Sequence, residues 1–250
     1  MSNRRYRFFQ GLIFFGLFLF LIAKAINHQL YWYINIRFIV LSQIGIVVLA
    51  ILAVILFKAA TNKHSDHLDE KQPHDHDHDH KPASANLWIM MVPLLIGVLI
   101  PAKPLDSTAV SAKGLTTTSA IISSNSASHP LATESEQRNV LDWVKIFYFE
   151  KDLNPYVGQK AAVTGFVYFD NQLPKGQFFV SRFIIACCAA DAYAVGMIVE
   201  PAAGISVKQD DWVQIRGTVE VVSFDGHNSP LIHAETITPI PQPDQPYLYP

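Results

Sequence analysis

The stretch Phe38–Phe57, with the sequence FIVLSQIGIVVLAILAVILF, decides the fold class of this 250-residue chain. It carries no charge and has about the length that a helix needs to cross the ~30 Å hydrocarbon core of a bilayer. Two further apolar stretches flank it, Phe8–Ala23 before it and the shorter Leu87–Pro101 after it. Half of all residues are apolar and only 16% are charged, a composition that excludes an ordinary soluble domain. The sequence therefore predicts a membrane protein, with two transmembrane helices in residues 1–60 and a third membrane segment in residues 87–105.

Basic residues predict the orientation of these segments. Three arginines precede the first segment, and four lysines lie in residues 58–86. The loop between the first two segments carries only Lys24 and Arg37, both at its edges. The positive-inside rule then predicts that the amino terminus and residues 61–86 are cytoplasmic. The carboxy-terminal domain is extracytoplasmic if the third segment crosses the membrane, and cytoplasmic if that segment only dips into it. Cleavage of the first segment as a signal peptide at Ala23-Lys24-Ala25 is an alternative that leaves this topology unchanged.

A His/Asp-rich loop at residues 61–86 contains six of the ten histidines, interleaved with aspartates. Neutral imidazole is a good ligand for zinc and for other transition metals. An extended backbone would place the histidines of His74–His80 on one side of the chain but would fix no geometry, which indicates exchangeable binding. The alternative is a solvated low-complexity loop whose histidines only titrate. We predict a metal-ion buffer, with zinc as the first candidate and with these ligands: His64, His67, His74, His76, His78 and His80.

The carboxy-terminal half is predicted to be a small OB-like β-barrel preceded by a helix. Residues 106–132 are rich in Ser, Thr and Ala, which is typical of a flexible linker. Thr133–Phe149 has an apolar face at helical spacing, and Thr133 and Glu136 form a possible capping box. From there the pattern alternates with period two in five short stretches, with a glycine inside the first and the fourth. The predicted strands of this domain, residues 133–250, are Lys160–Phe169, Gln177–Ile185, Ala192–Glu200, Trp212–Val222 and Pro230–Thr238.

The charge of this domain excludes a role in binding nucleic acid. Residues 134–250 contain eight Lys and Arg against fourteen Asp and Glu. Phosphate binding needs a positive surface, because its affinity comes largely from the release of counterions. A barrel of this charge would repel the phosphate backbone.

The two cysteines of the chain are adjacent, at Cys187 and Cys188. If the second strand continued through them, their side chains would point to opposite faces. A disulfide between adjacent residues needs a strained backbone, and a zinc site needs further ligands, for which Asp191, His129, His227 and His233 are available. Free cysteines are also often simply buried apolar residues. Structural and metal or redox roles therefore both stay open. The pair has no Cys-x-x-Cys spacing, and no enzyme is predicted.

Several motifs resemble the YcgQ-like family of bacterial membrane proteins, which are described as permease subunits. They are Pro101-Ala-Lys-Pro-Leu-Asp-Ser107, Gly165-Phe-Val-Tyr168, Phe178-Phe-Val-Ser-Arg-Phe183, Cys187-Cys-Ala-Ala-Asp191 and Pro246-Tyr-Leu-Tyr249. The resemblance covers nearly the whole chain, and the Cys-Cys-Ala-Ala-Asp segment is its most specific part. It implies a larger multi-span permease as a partner, and it implies that Asp106, otherwise an ordinary loop residue, contacts that permease or a cation. It supplies no catalytic residues.

The sequence thus predicts an accessory subunit of a membrane permease, linked to the handling of a transition metal, with zinc first. Asp106 and Asp191 are additional candidate ligands beside the cysteines and the histidines. Two alternatives are a membrane-tethered thiol or redox protein that uses the cysteines, and a non-catalytic structural anchor.

Overall fold

The computed structural model describes residues 3–61, 84–115 and 134–249. The chain divides into two compact units. One consists of Met1–Tyr31 and Ile36–Lys103, and the other of Trp32–Asn35 and Pro104–Pro250. The first is helical and the second is built around a β-barrel. The second unit therefore takes in a short segment from the amino-terminal part of the chain.

The helical unit consists of α1 (Asn3–Ile26), α2 (Ile39–Thr61) and α3 (Ser84–Leu99). By length and composition, α1 and α2 are the two described helices that could cross a membrane. The third helix has 16 residues, with Pro93 inside it. At 1.5 Å per residue it is about 24 Å long, shorter than the hydrocarbon core. Large apolar side chains lie exposed along all three helices, as in helices that face lipid.

The barrel contains five long strands and a short sixth strand. Pairing closes five of them in the order β1–β2–β3–β5–β4–β1. All neighbours are antiparallel except β3 and β5, which are parallel. This is a five-stranded Greek-key barrel of the OB type, so the predicted fold class is confirmed. The strands are β1 (Lys160–Tyr168), β2 (Phe178–Ile184), β3 (Tyr193–Pro201), β4 (Trp212–Phe224), β5 (His227–Pro239) and β6 (Tyr247–Leu248), the last parallel to β2.

Helix α5 (Val140–Phe149) packs against the barrel core. Its Trp143 and Ile146 are fully buried in one cluster with Phe178 and Met197 of the sheet. The helix begins later than predicted, because its capping box is formed by Asn139 and Asp142. Residues Ser135–Gln137 form a separate 3-10 turn, and Thr133 lies outside the described residues.

Two strand glycines have different roles. The register of β4 with β5 shifts between Arg216 and Gly217, where Glu235 of β5 is skipped, so the extra residue of the bulge lies in the fifth strand, opposite Gly217. Gly165 pairs regularly with Val213 of β4 and directly precedes the residues of β1 that pair with β2. A Cβ at Gly165 would lie 2.5 Å from the carbonyl oxygen of Ser181. Glycine at this position allows the close approach of strands that closes the barrel.

Part of the predicted linker is an ordered helix, α4 (Ser107–Lys113). Asp106 caps its amino terminus by accepting a hydrogen bond from the backbone N–H of Thr108 at 3.1 Å. Val110 is fully buried beside Phe166 and Phe183 of the barrel. Composition alone could not reveal this helix, because packing on the barrel stabilises a polar sequence with few apolar residues. Residues 116–132 of the predicted linker lie outside the described part of the chain.

Candidate metal centre

The loop that follows β2 carries both cysteines. The strand ends at Ile184, three residues before Cys187, so it does not continue through the cysteines and the condition under which their side chains would point to opposite faces is not met. Their Sγ atoms lie 3.7 Å apart, and neither is part of a disulfide. Cys187 is exposed and Cys188 is half-buried. The loop therefore presents two neighbouring thiols to solvent.

Asp191 holds this loop in shape from one side. Its Oδ1 atom accepts the backbone N–H of Ala186 at 3.2 Å, and its Oδ2 atom accepts those of Cys187 at 2.7 Å and Cys188 at 3.4 Å. In return, the side chain of Cys188 accepts the backbone N–H of Asp191 at the start of the 3-10 turn Ala189–Asp191. Partial burial raises the pKa of Asp191, but the hydrogen bonds from the Cys187 thiol and the three N–H groups together lower it. The carboxylate is therefore ionised at neutral pH.

The ligand atoms of Cys187, Cys188 and Asp191 all lie within 4.8 Å of one another. Two thiolates bound tetrahedrally to zinc at about 2.3 Å are about 3.8 Å apart. The observed separation of 3.7 Å between the sulfurs matches that geometry. Two sulfurs and one carboxylate oxygen suit zinc, and a fourth position would be left for water or for an incoming ligand. These residues could hold a zinc ion with an open coordination site.

The electrostatics of the loop disfavour a reactive thiol. The hydrogen bond with Asp191, followed by the hydrogen bond with Cys188, raises the pKa of Cys187 to about 11. The thiolate is the nucleophilic form, so a thiol with this pKa is a weak nucleophile at neutral pH. A metal ion would have to displace the proton on binding, which makes its affinity depend on pH.

A segment from the other end of the chain completes this loop. Trp32–Asn35 lies between α1 and α2 in sequence but belongs to the barrel unit. Ile34 forms a β-bridge with Cys188, and the backbone N–H of Ala189 donates to the carbonyl of Tyr33 at 2.8 Å. Asn35 is only 1% exposed and donates hydrogen bonds to three successive carbonyls of the loop. No local signal in the sequence distinguishes Asn35 from an ordinary loop residue, and the prediction missed it.

Comparison with known proteins covers both parts of the chain. Residues 9–116 match the DUF1980 N-terminal domain, and residues 125–250 match the DUF1980 C-terminal domain. The chain belongs to the DUF1980 family. It is 28% identical over 281 residues to the UPF0703 protein YcgQ of Bacillus subtilis (strain 168), covering 96% of this chain and 99% of that protein. The predicted resemblance is thereby confirmed.

A second relative is named as a subunit of a two-component membrane permease complex, in Streptococcus mutans serotype c. The identity to this DUF1980 protein is 26% over 198 residues, covering 64% of this chain and 72% of the relative. The relative's name and the two apolar helices both point to an association with the membrane.

Within residues 3–61, 84–115 and 134–249, the other predicted ligands of this DUF1980 protein are not brought to the cysteines. Asp106 caps α4 and is not one of the three grouped ligands. His233 lies on the barrel surface between Glu200 and Glu220, and His227 lies at the start of β5. His129 lies outside the described residues, as does the whole histidine tract: His64, His67, His74, His76, His78 and His80.

Proposed function

We propose that this DUF1980 protein is an accessory subunit of a membrane permease and takes part in the handling of a transition metal, zinc first. Membership of the family and the name of the Streptococcus relative support the role in a permease. The observation that carries the metal role is the group formed by Cys187, Cys188 and Asp191, whose sulfurs have the separation that tetrahedral zinc requires. The His/Asp-rich loop is a second, exchangeable reservoir of ligands, and the partner is a larger multi-span permease.

The alternative of a thiol or redox protein is less well supported. It needs a thiolate at neutral pH, whereas the hydrogen bond with Asp191 raises the pKa of Cys187 to about 11. The raised pKa is no obstacle to metal binding, because a bound cation itself displaces the thiol proton. A purely structural anchor would explain the barrel but not the exposed pair of thiols.

The position of Trp32–Asn35 supports a definite topology. This segment joins α1 to α2 and is hydrogen-bonded into the barrel unit. We infer from this that the barrel is on the side of the membrane that the α1–α2 connection faces. If α1 and α2 both cross, the residues after α2 emerge on the opposite side, and α3 must bring the chain back. Local thinning of the bilayer accommodates a span as short as α3 at modest cost. With the basic residues inside, the His/Asp-rich loop is cytoplasmic and the barrel is extracytoplasmic.

Co-purification and zinc analysis test the function. Affinity purification of the full chain from membranes is expected to recover a multi-span permease in a fixed ratio. The purified full chain is expected to bind one zinc ion per barrel, and Cys187→Ser combined with Cys188→Ser to abolish that binding. Ala190→Ser, at an exposed position of the same loop, is the matched control and is expected to leave it unchanged. Zinc binding by the barrel that survives loss of both cysteines would contradict the metal role.

Thiol labelling tests the topology, because the chain has only two cysteines. A membrane-impermeant maleimide is expected to label Cys187 in intact cells. In a chain without the native cysteines, Ser65→Cys places a single thiol in the His/Asp-rich loop. That thiol is expected to react only after the membrane is permeabilised. Labelling of both positions from the same side would refute the proposed crossing by α3.

A further inference from the structure

The loop that carries the thiols is held from two sides by two side chains that are distant in sequence. Asp191 accepts the backbone N–H groups of Ala186, Cys187 and Cys188. Asn35 donates hydrogen bonds to carbonyl groups on the other side of the loop. Its Nδ2 donates to Ile185 at 3.1 Å and to Ala186 at 2.8 Å, and its backbone N–H donates to Cys187 at 3.0 Å. The peptide groups next to both cysteines are thus fixed through their donors and their acceptors.

This arrangement limits how far the two sulfurs can move. The loop is irregular between the end of β2 and the start of β3, so no β-ladder determines its backbone dihedrals apart from the bridge between Ile34 and Cys188. The position of a cysteine Sγ depends on the Cα–Cβ direction, which the orientation of the adjacent peptide planes determines. Buried hydrogen bonds are costly to leave unmade, so Asn35, at 1% exposure, has no alternative partners in water. The 3.7 Å separation of the sulfurs therefore depends on Asn35 as well as on Asp191.

The interhelical segment is itself anchored on the barrel beyond Asn35. Tyr247 of β6 donates its hydroxyl hydrogen bond to the carbonyl of Trp32 at 3.1 Å, and the carbonyl of Tyr33 accepts the N–H of Ala189 at 2.8 Å. Asn35 is therefore presented to the loop from a fixed backbone. A residue on a mobile connection could not hold three carbonyls in one geometry.

We propose that Asn35 is the positioning residue of the thiol pair, and that it sets the zinc affinity of Cys187 and Cys188 without touching the metal. The inference rests on the proposed function, because it requires that the two thiols bind zinc. It assigns a role to the connection between two membrane helices, which is otherwise only a link. Residues that hold metal ligands through hydrogen bonds commonly change metal affinity by about 10- to 100-fold when they are removed.

Three substitutions in the purified full chain separate the hydrogen bonds of Asn35 from its shape. Asn35→Asp keeps the shape and the backbone N–H but removes both Nδ2 donors. Asn35→Ala removes the side chain, and Asn35→Ser keeps one shorter donor. Zinc affinity is measured by competition with a chromophoric chelator, and Co²⁺ replaces zinc for absorption spectra that report tetrahedral thiolate coordination. Asn171→Ala, at an exposed asparagine of the β1–β2 turn, is the matched control.

Both Asn35→Ala and Asn35→Asp are expected to weaken zinc binding by about 10- to 100-fold at unchanged stoichiometry. Their Co²⁺ spectra are expected to shift, Asn35→Ser is expected to fall between them and wild type, and Asn171→Ala to match wild type. Thermal melting of the metal-free variants identifies any that fail to fold, and the mildest variant, Asn35→Ser, then decides the outcome. Wild-type affinity and spectra in every folded Asn35 variant, with zinc binding at the barrel lost in the double cysteine variant, would overturn the positioning role alone. A wild-type chain that shows no cysteine-dependent zinc binding at the barrel would overturn the proposed metal role as well.

Discussion

The closure of the barrel depends on Gly165, and Gly165→Ala tests this directly. A methyl group at this position would lie 2.5 Å from the carbonyl oxygen of Ser181 and 2.9 Å from Cγ2 of Val180. Ordinary contacts of a Cβ atom begin at 3.4 Å, so the two strands would have to separate by most of an ångström. The nearer obstacle is backbone, which cannot rotate away as a side chain can.

The cost can be worked out from the β1–β2 ladder. Only three residue pairs join these strands, beginning with Phe166 opposite Ser181, so a shift at this point disturbs the whole β1–β2 pairing. Overpacking of this kind costs about 1–3 kcal/mol. One weakened ladder hydrogen bond adds about 1 kcal/mol. The lower conformational entropy of alanine in the unfolded chain offsets about 0.4–1 kcal/mol of this destabilisation. The free energy of unfolding is therefore expected to fall by roughly 1–3.6 kcal/mol, which for a unit of this size lowers the midpoint by about 2–14 °C.

Thermal unfolding of the full chain in detergent, followed by tryptophan fluorescence, measures this effect. Gly45→Ala in α2 is the control, because a Cβ at Gly45 has nothing within 4 Å. It is expected to leave the barrel transition unchanged. If Gly165→Ala has the same melting temperature as wild type, the β1–β2 pairing tolerates the methyl group. The reasoning from close approach would then be refuted.

Three further predictions concern titration and the metal. The hydrogen bond with Glu220, together with Glu200, raises the pKa of His233, so its contribution to stability is complete below the ordinary histidine pKa and is lost as the pH rises through the raised value. His233→Gln is expected to remove this part of the pH dependence of the melting temperature, and an unchanged profile would contradict it. Asp191→Asn is expected to lower the pKa of Cys187 from about 11, because the hydrogen bond with Asp191 is the main cause of that raised pKa. Alkylation of Cys187 at neutral pH should then be faster, which is measured with Cys188→Ser present in both proteins. Equal alkylation rates would argue against this cause. Deletion of Lys63–Lys81 is expected to reduce the zinc bound per full chain without changing the barrel transition, and unaltered zinc content would count against a buffering tract.

The sequence predicts those features that repeat locally. Long uncharged runs indicated α1 and α2, and alternation with period two located strands such as β2, predicted at Gln177–Ile185 and observed at Phe178–Ile184. The helix cap was misplaced because Asn139 and Asp142 form a capping box with residues less familiar in that role than Thr and Glu. The α4 helix was missed because only its tertiary contacts, such as the buried Val110, distinguish it from a linker.

The candidate site was predictable only in part, for a similar reason. Adjacent cysteines and a nearby aspartate are visible in sequence, but their convergence depends on β2 ending at Ile184, which alternation cannot reveal. Asn35 is separated from the loop by about 150 residues in the sequence. It acts through single hydrogen bonds, which leave no periodic signal in the sequence. Contacts of this kind are seen only once the chain is folded.

The proposed topology separates the two features of the chain that suit a transition metal. With α3 crossing the membrane, the histidines of the His/Asp-rich loop and the thiols of the barrel lie on opposite sides, and one ion cannot be shared between them. Transfer from one to the other would need a path through the bilayer, which the multi-span permease would supply. The two sites should then act independently in the isolated chain and become coupled only in the complex. Removal of the cysteines is accordingly expected to leave zinc binding by the histidine tract unchanged in the purified subunit, whereas binding that falls at both sites together would refute their separation.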